Sequence, residues 1–411
     1  MSTTAPPTQT PTRWRVFSAA PHRMLFCAGA LQTVLVMGLW LAELGGRASG
    51  GWVPPWTLPA TWVHAFLMVY GVFPFFIFGF LLTVYPRWMA GPVIPPSRYV
   101  PIFLALVSGM LLFYLGLFTA RGVLLAGVVA YLAGWLLAGH TLFGVYRQAR
   151  NRGTHERLLN AALTAGAIGL AMFAHSLIAE RPRSFVIARD IGLWLFLLPV
   201  LFTVSHRMIP FFSSSALAHY TPVRPGWSLA VFGLGSVGHV AAELAAVPEW
   251  RFVFDLPMAI SALYLSIAWN LKRSFEVPLL AMLHIAFLWF GLGLALYGAQ
   301  SLLHFAGAGD WLGRAPLHAL GIGFVAAMMI AMASRVTLGH SGRMLAADTL
   351  TWVCFLGMNA TAVLRIAAEL APAAATALNT LTAGVWLACL LPWAWRYLPI
   401  YLRPRLDGKP G

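Results

Sequence analysis

The sequence of residues 279–304 reads LLAMLHIAFLWFGLGLALYGAQSLLH and contains no Asp, Glu, Lys or Arg in 26 residues. A helix that crosses the hydrocarbon core of a bilayer needs about 20 consecutive, mostly apolar residues. This stretch therefore predicts a membrane span, and eleven further apolar stretches predict the same. The twelve predicted spans are residues 24–44, 62–85, 100–119, 121–146, 157–180, 187–206, 227–247, 252–272, 279–304, 315–336, 347–370 and 376–400.

The composition of the whole chain agrees with this interpretation. Of 411 residues, 60% are hydrophobic and 9% are charged, against about 45–50% and about 25% in soluble domains. These values exclude a soluble globule, a disordered chain and a disulfide scaffold. The three cysteines lie singly inside apolar stretches, without the spacing of a zinc or covalent haem site. We predict an all-α, polytopic membrane helix bundle of about twelve transmembrane helices in a lipid bilayer.

The basic residues are distributed unevenly over the two ends of the predicted spans. If the N-terminus is cytoplasmic, 19 of the 27 Lys and Arg residues fall on the cytoplasmic side and seven on the other. This bias is the positive-inside pattern, so the net charge of +15 does not indicate binding to nucleic acid. We expect both termini in the cytoplasm, with a disordered tail over 1–21, one twelve-span membrane domain over 22–402 and a short tail over 403–411.

The twelve histidines are the main chemical signal in so apolar a chain. Ionisable side chains inside a membrane are costly, and they usually face the interior of the bundle. Neutral imidazole is a common ligand of haem iron and copper, although a buried His also forms plain interhelical hydrogen bonds. The predicted topology sorts the intramembrane histidines by depth. His64, His175, His304 and His318 lie on the outer side; His140, His206, His284 and His340 lie on the inner side; His239 is in the middle of span 7; and His22, His155 and His219 fall in tails or loops.

Three pairs of residues four positions apart share helix faces: His64 with Met68, His239 with Glu243, and Arg365 with Glu369. A His and Met pair suits haem or Cu(I), although Met also fills apolar cores. The carboxylate of the second pair could orient the imidazole or carry protons. The third pair predicts a structural ion pair near the outer end of span 11.

Two inner loops concentrate basic residues, namely 206–212 (HRMIPFF), where span 6 is expected to break, and 334–343 (SRVTLGHSGR). Arg207, Arg335 and Arg343 could bind carboxylates in a bidentate manner, and the glycines of the second loop would let a ligand approach the backbone. Haem propionates and lipid phosphates both suit such loops, and so does simple positive-inside anchoring.

Four segments of the sequence resemble the NnrS family of bacterial inner-membrane proteins. They are 64–88 (HAFLMVYGVFPFFIFGFLLTVYPRW), 207–212 (RMIPFF), 278–284 (PLLAMLH) and 318–345 (HALGIGFVAAMMIAMASRVTLGHSGRML). The resemblance extends over nearly the whole chain. It implies a multi-pass protein of the bacterial inner membrane that binds haem and copper and acts in the response to nitric oxide and nitrosative stress, often alongside denitrification.

The resemblance also implies a set of cofactor ligands. The family's histidines correspond to His64, His284, His318 and His340, and its loop arginines to Arg207, Arg335 and Arg343. His64 and His318 lie on the outer side, and His284 and His340 lie on the inner side. This distribution would place one metal site at each depth. Weaker candidates for ligands are His175, His206, His239, His304 and Met68.

Two other functions remain open at this point. The histidines could line the pathway of a transporter or exporter for protons, a metal or another substrate. The chain could also be a non-catalytic partner of a respiratory complex. If the chain acts in the nitric oxide response, it would bind, sense or detoxify nitric oxide. Redox chemistry on nitric oxide would require an electron donor from the respiratory chain.

Overall fold

The structure is a computed structural model, and it describes residues 12–408. Within that range the chain forms helices joined by short loops, without any strand. Twelve helices are long and apolar enough to cross a membrane, which confirms the predicted all-α bundle. In chain order, spans 1 to 12 are Pro21–Ser49, Ala60–Trp88, Pro96–Phe118, Arg121–Gln148, Thr154–Ile178, Pro182–Ala216, Gly226–Leu244, Pro248–Ala268, Pro278–Phe305, Ala315–His340, Thr349–Leu370 and Pro372–Tyr401.

The number of spans is even, so both ends of the described chain lie at one end of the bundle, here called the terminal end. The opposite end is called the distal end. Which end faces the cytoplasm stays a prediction from the distribution of basic residues.

The chain before span 1 packs against the terminal end. Residues Arg13–Phe17 form a short helix, and the Tyr99 hydroxyl donates a hydrogen bond to the Ser18 carbonyl at 2.7 Å. The Arg23 guanidinium donates to the carbonyls of Val16 and Tyr401. The structure therefore differs from the predicted disordered tail of residues 1–21 from Thr12 onwards, because these contacts satisfy its backbone. Residues 1–11 and 409–411 lie outside the described part of the chain.

Two segments predicted as inner loops are helical. Span 6 continues to Ala216, ten residues beyond its predicted end, with Pro210 inside the helix. Span 10 continues to His340, so the predicted loop 334–343 is helical over its first seven residues. Both loop predictions were wrong. In span 6, neighbouring helices can compensate for the one backbone donor that a proline removes from a membrane helix. In span 10 the helix continues through Arg335 to His340 without any proline.

Spans 2, 6 and 10 each contain a π-helical segment. Leu67–Val72 lies in span 2, Ile191–Leu197 in span 6 and Ala319–Ala326 in span 10. Among the described spans, these three therefore recur at intervals of four. Four spans return the chain to the same end of the bundle, so the groups 1–4, 5–8 and 9–12 have the same orientation.

Spans 2, 6, 9 and 10 are the most buried spans of the bundle. In the most apolar windows of spans 2 and 10, 83% and 78% of the residues are buried, whereas spans 3 and 4 reach 39%. Span 12 packs against spans 1 and 11. The π segments of spans 2 and 6 meet where the ring of Tyr70 fills the space beside Gly192, at which any Cβ would clash with the phenol.

Candidate functional site

The distal ends of spans 2 and 10 bring two predicted ligands close together. His64 lies three residues before the π segment of span 2, and His318 directly precedes that of span 10. The two imidazoles lie within electrostatic range of each other and of Arg314 and Arg365. We call these four residues the distal cluster. π segments inside α-helices frequently occur at functional sites.

Each histidine of the distal cluster keeps one ring nitrogen available for a ligand. The Nδ1 of His318 is 2.9 Å from the Arg314 carbonyl. A carbonyl only accepts, so Nδ1 carries the proton and Nε2 keeps its lone pair. A metal-binding His commonly donates its other N–H in this way. The His64 ring stacks on Trp40 with centroids 4.1 Å apart, and its buried Nδ1 has no hydrogen-bond partner.

The arginines of the distal cluster have spare hydrogen-bonding capacity. The Nη2 of Arg365 is 2.5 Å from Glu369, which confirms the predicted ion pair, but its buried Nη1 has no partner. Glu369 also accepts the backbone N–H of Arg314. Together with Glu369, the cluster contains two arginines and one carboxylate, so it has an excess of positive charge for an additional anionic group.

The cluster passes a simple test of fit for haem. Haem iron takes one or two axial ligands, and imidazole is a common one. Spans 2 and 10 supply two imidazoles, and Arg365 supplies an unpaired donor for a propionate. A Cβ at Gly321, three residues beyond His318, would meet no atom within 4 Å, so span 10 is not closely packed at this position.

Span 6 carries a different polar cluster at the corresponding depth. Asp190 directly precedes its π segment and pairs with Arg189 at 2.7 Å. Within the segment, Trp194 stacks on His239 of span 7 with ring centroids 3.5 Å apart. The Nδ1 of His239 is 2.7 Å from Asp255, which is fully buried.

The partner of His239 is therefore Asp255, not Glu243 as the i,i+4 spacing suggested. Glu243 pairs with Arg251 instead. The second carboxylate oxygens of Asp190 and Asp255 are both buried without partners. The spacing within span 7 was misleading because span 8 packs beside span 7. It places the Asp255 carboxylate closer to His239 than Glu243, which lies one turn further along span 7.

The histidines at the terminal end pair differently from the prediction. The His340 ring lies 4.7 Å from the His22 ring, and His22 also contacts the Thr83 hydroxyl at 3.3 Å. The Nε2 of His284 is 3.0 Å from the Ser213 hydroxyl, and its buried Nδ1 has no partner. The expected pairing of His284 with His340 is not observed, because span 1 brings His22 to His340.

A second pair of histidines lies between spans 5 and 6. The Nε2 of His155 is 2.9 Å from the Nδ1 of His206. Beside them, Arg207 donates to the buried Glu156 at 2.7 Å and covers the Trp88 ring at 4.6 Å. Arg207 is therefore already paired within the protein, which makes it a weaker candidate for a propionate.

The other two candidate arginines are less completely paired. Arg335 lies over the Phe212 ring at 4.1 Å and is 3.5 Å from the Ser215 hydroxyl, while its buried Nε has no partner. The Nη1 of Arg343 is also buried without a partner. Arg343 lies outside the spans, and partial burial lowers its pKa, as do the nearby Arg396 and Arg403. An anionic group would relieve this local excess of positive charge.

A comparison with protein families gives a match over most of the chain. The family model described as "NnrS protein" matches residues 16–405. The chain belongs to the NnrS family. No curated protein matches it closely enough to be reported as a relative.

In this NnrS chain the described residues contain no group of three or more His, Cys, Asp or Glu side chains placed to hold a metal ion. A haem is compatible with that finding because it needs at most two axial ligands. Copper would need a site with fewer than three such side chains, and the two imidazoles of His22 and His340 are candidates for it. The copper prediction therefore rests on the family resemblance.

The remaining weaker candidates are dispersed. His175 contacts the Ser184 hydroxyl at 2.9 Å, His304 is exposed at the distal end, and Met68 lies in the first π segment. Sequence reasoning assigned His22 and His155 to tails or loops, but both lie in the first turns of spans. Their position within four residues of long apolar runs was the signal that could have identified them.

Proposed function

We propose that this NnrS protein binds haem at the distal cluster and acts in the response to nitric oxide. His64 and His318 would be the axial ligands, and Arg314 and Arg365 would bind the propionates. The observation that carries the proposal is that both imidazoles lie at the distal ends of the two most buried π-containing spans, beside the Arg365 guanidinium, whose Nη1 has no partner.

The surrounding residues have defined parts in this proposal. The Arg314 carbonyl fixes the tautomer of His318 and leaves Nε2 free. Trp40 fixes the plane of the His64 ring through stacking. A bound haem would supply an iron that can bind nitric oxide or transfer an electron to it. Nitric oxide is small, uncharged and soluble in membranes, so it can reach an intramembrane site from the bilayer.

We further propose that His22 and His340 are the site of the copper that the family resemblance implies. Two imidazoles suit Cu(I), and the nearby Thr83 hydroxyl holds His22 in place. The protein would be located in a bacterial inner membrane with both termini in the cytoplasm. In that orientation the haem would lie near the outer surface and the copper near the inner one, with an electron donor from the respiratory chain.

Transport is the alternative function of the bundle. The π segments recur every four spans and in one orientation, and both inverted and parallel repeats occur in transporters. The following experiment therefore distinguishes transport from haem binding.

The proposal is tested by haem content and optical spectra of purified wild-type protein and of His64→Ala, His318→Ala and His304→Ala. His304 is an exposed His at the same end of the bundle, so its replacement is a matched control. We expect a Soret band in wild type and the control, and loss or a large shift of the band in the other two variants. Four indistinguishable spectra would contradict the assignment, and a colourless wild type expressed with added haem would favour transport.

A further inference from the structure

A small cavity lies at the centre of the bundle, where the three π-containing spans meet. Its volume is about 50 Å³, and it is lined by side chains of spans 1, 2, 6 and 10. Phe73 and Phe76 of span 2, Val204 of span 6, and Met328 and Met332 of span 10 are among its lining side chains. Empty space in a protein interior forfeits dispersion contacts, so a cavity at this central position suggests a ligand.

The lining contains one polar side chain, that of Ser205. Its side chain is fully buried, and its hydroxyl has no hydrogen-bond partner. Buried polar groups in native proteins are nearly always satisfied. In an α-helix, a serine hydroxyl can bond to a carbonyl of the preceding turn, but the Ser205 hydroxyl does not. It is therefore available to donate to a molecule in the cavity.

The cavity is separate from the distal cluster. Phe73 and Phe76 lie nine and twelve residues beyond His64, which corresponds to roughly 14–18 Å along the helix at about 1.5 Å per residue. Met328 lies ten residues beyond His318. The residues around the cavity include neither a histidine nor a charged group.

The chemistry of the lining restricts the ligand. A charged molecule would have no counter-ion among the lining side chains, and a volume of about 50 Å³ suits a molecule of a few heavy atoms. A water molecule needs two to four polar partners, whereas this cavity offers a single hydroxyl. The flexible methionines allow the cavity to adapt to slightly different shapes.

We propose that this cavity binds one small uncharged molecule, of the size of a dissolved diatomic or triatomic gas, with the Ser205 hydroxyl as its hydrogen-bond donor. The site would hold a membrane-soluble gas between the two ends of the bundle. The proposal does not depend on haem, since none of the residues that form the cavity belongs to the distal cluster.

The first experiment uses xenon as a probe on the full-length purified protein, with the site located by anomalous diffraction or by the line shift of ¹²⁹Xe. Ala333→Leu should fill the cavity and abolish binding, whereas Met332→Ala should enlarge it and raise xenon occupancy at a given pressure. Met344→Ala, at an exposed position, is the control for the second variant. Failure of wild type to bind xenon between spans 2, 6 and 10 would overturn the proposal.

Two outcomes keep the test decisive if a variant does not fold. If Ala333→Leu cannot be purified, equal xenon occupancy in wild type and Met332→Ala overturns the proposal. The donor is tested with nitrous oxide and Ser205→Ala. We expect both proteins to bind xenon but to differ in the infrared stretch of bound nitrous oxide, and identical stretches would refute the role of Ser205. A haem-free protein that binds xenon would separate this proposal from the function proposed above.

Discussion

The ion pair between Arg207 and Glu156 allows a structural role to be separated from cofactor binding. Family resemblance makes Arg207 a candidate partner of a haem propionate, whereas the structure pairs it with Glu156 at 2.7 Å. Glu156 is 2% exposed and Arg207 is 26% exposed. If the pair is structural, removing either side chain should destabilise the protein and leave the haem unchanged.

The magnitude follows from the burial of the pair. Exposed ion pairs contribute about 0–1 kcal/mol, and breaking a buried pair costs about 3–5 kcal/mol. This pair is intermediate, so we expect Glu156→Ala to lower the free energy of unfolding by about 2 kcal/mol, part of which comes from the lost hydrogen bond to the Gly153 N–H. Arg207→Ala should have a similar effect, because it leaves Glu156 buried without its partner.

The assay is thermal unfolding in detergent combined with haem content, for both single variants and the double variant. About 2 kcal/mol corresponds to a fall of several degrees in the unfolding temperature. The double variant should be destabilised by less than the sum of the two, since the pair is lost only once. Glu276→Ala removes an exposed partner of Arg273 and serves as the control. Loss of haem in Arg207→Ala but not in Glu156→Ala would refute the reasoning.

Three further predictions concern other parts of the bundle. Asp255→Ala leaves the buried His239 without its partner and should destabilise the protein by about 3 kcal/mol in thermal unfolding; an unchanged unfolding temperature would show that the hydrogen bond does not contribute. His22→Ala and His340→Ala should each lower the copper content measured by elemental analysis while haem content stays constant, and full copper in both variants would exclude this site. Asp348 caps the N-terminus of span 11. Burial raises the pKa of its carboxyl group, but hydrogen bonds from Thr351 and Arg396 lower it more, so the net pKa lies below 3.8. The cap should contribute about 1 kcal/mol to the free energy of unfolding at neutral pH, and this contribution should disappear as the pH falls through that pKa. The unfolding temperatures of wild type and Asp348→Ala should therefore differ at pH 7 and be equal in strong acid.

The fold was predictable from the sequence because the hydrophobic pattern of a membrane span is local. Residues 279–304 are apolar over their whole length, and the structure places span 9 at Pro278–Phe305. Helix ends were less predictable where a proline or polar residues interrupted the pattern. Span 6 passes through His206 and Pro210 because backbone hydrogen bonding around them continues in the helix.

The pairing of side chains was less predictable, because it depends on which spans are neighbours. His64 and His318 could be assigned to one depth from topology alone, and the structure brings them together. His340 could not be assigned to His22 without knowing that spans 1 and 10 meet at the terminal end. The recurrence of π segments every four spans could not be predicted, because the residues directly before them, Phe66, Asp190 and His318, share no motif.

The most direct test of the central claim is the electron paramagnetic resonance spectrum of the oxidised, haem-loaded protein. If His64 and His318 both bind the iron, the wild type should give a low-spin ferric signal, as expected for two imidazole ligands. His64→Ala and His318→Ala should each convert that signal to high spin or lose the haem, while His304→Ala keeps it. A low-spin signal that is unchanged in both His64→Ala and His318→Ala would show that the haem is held elsewhere and would contradict the account.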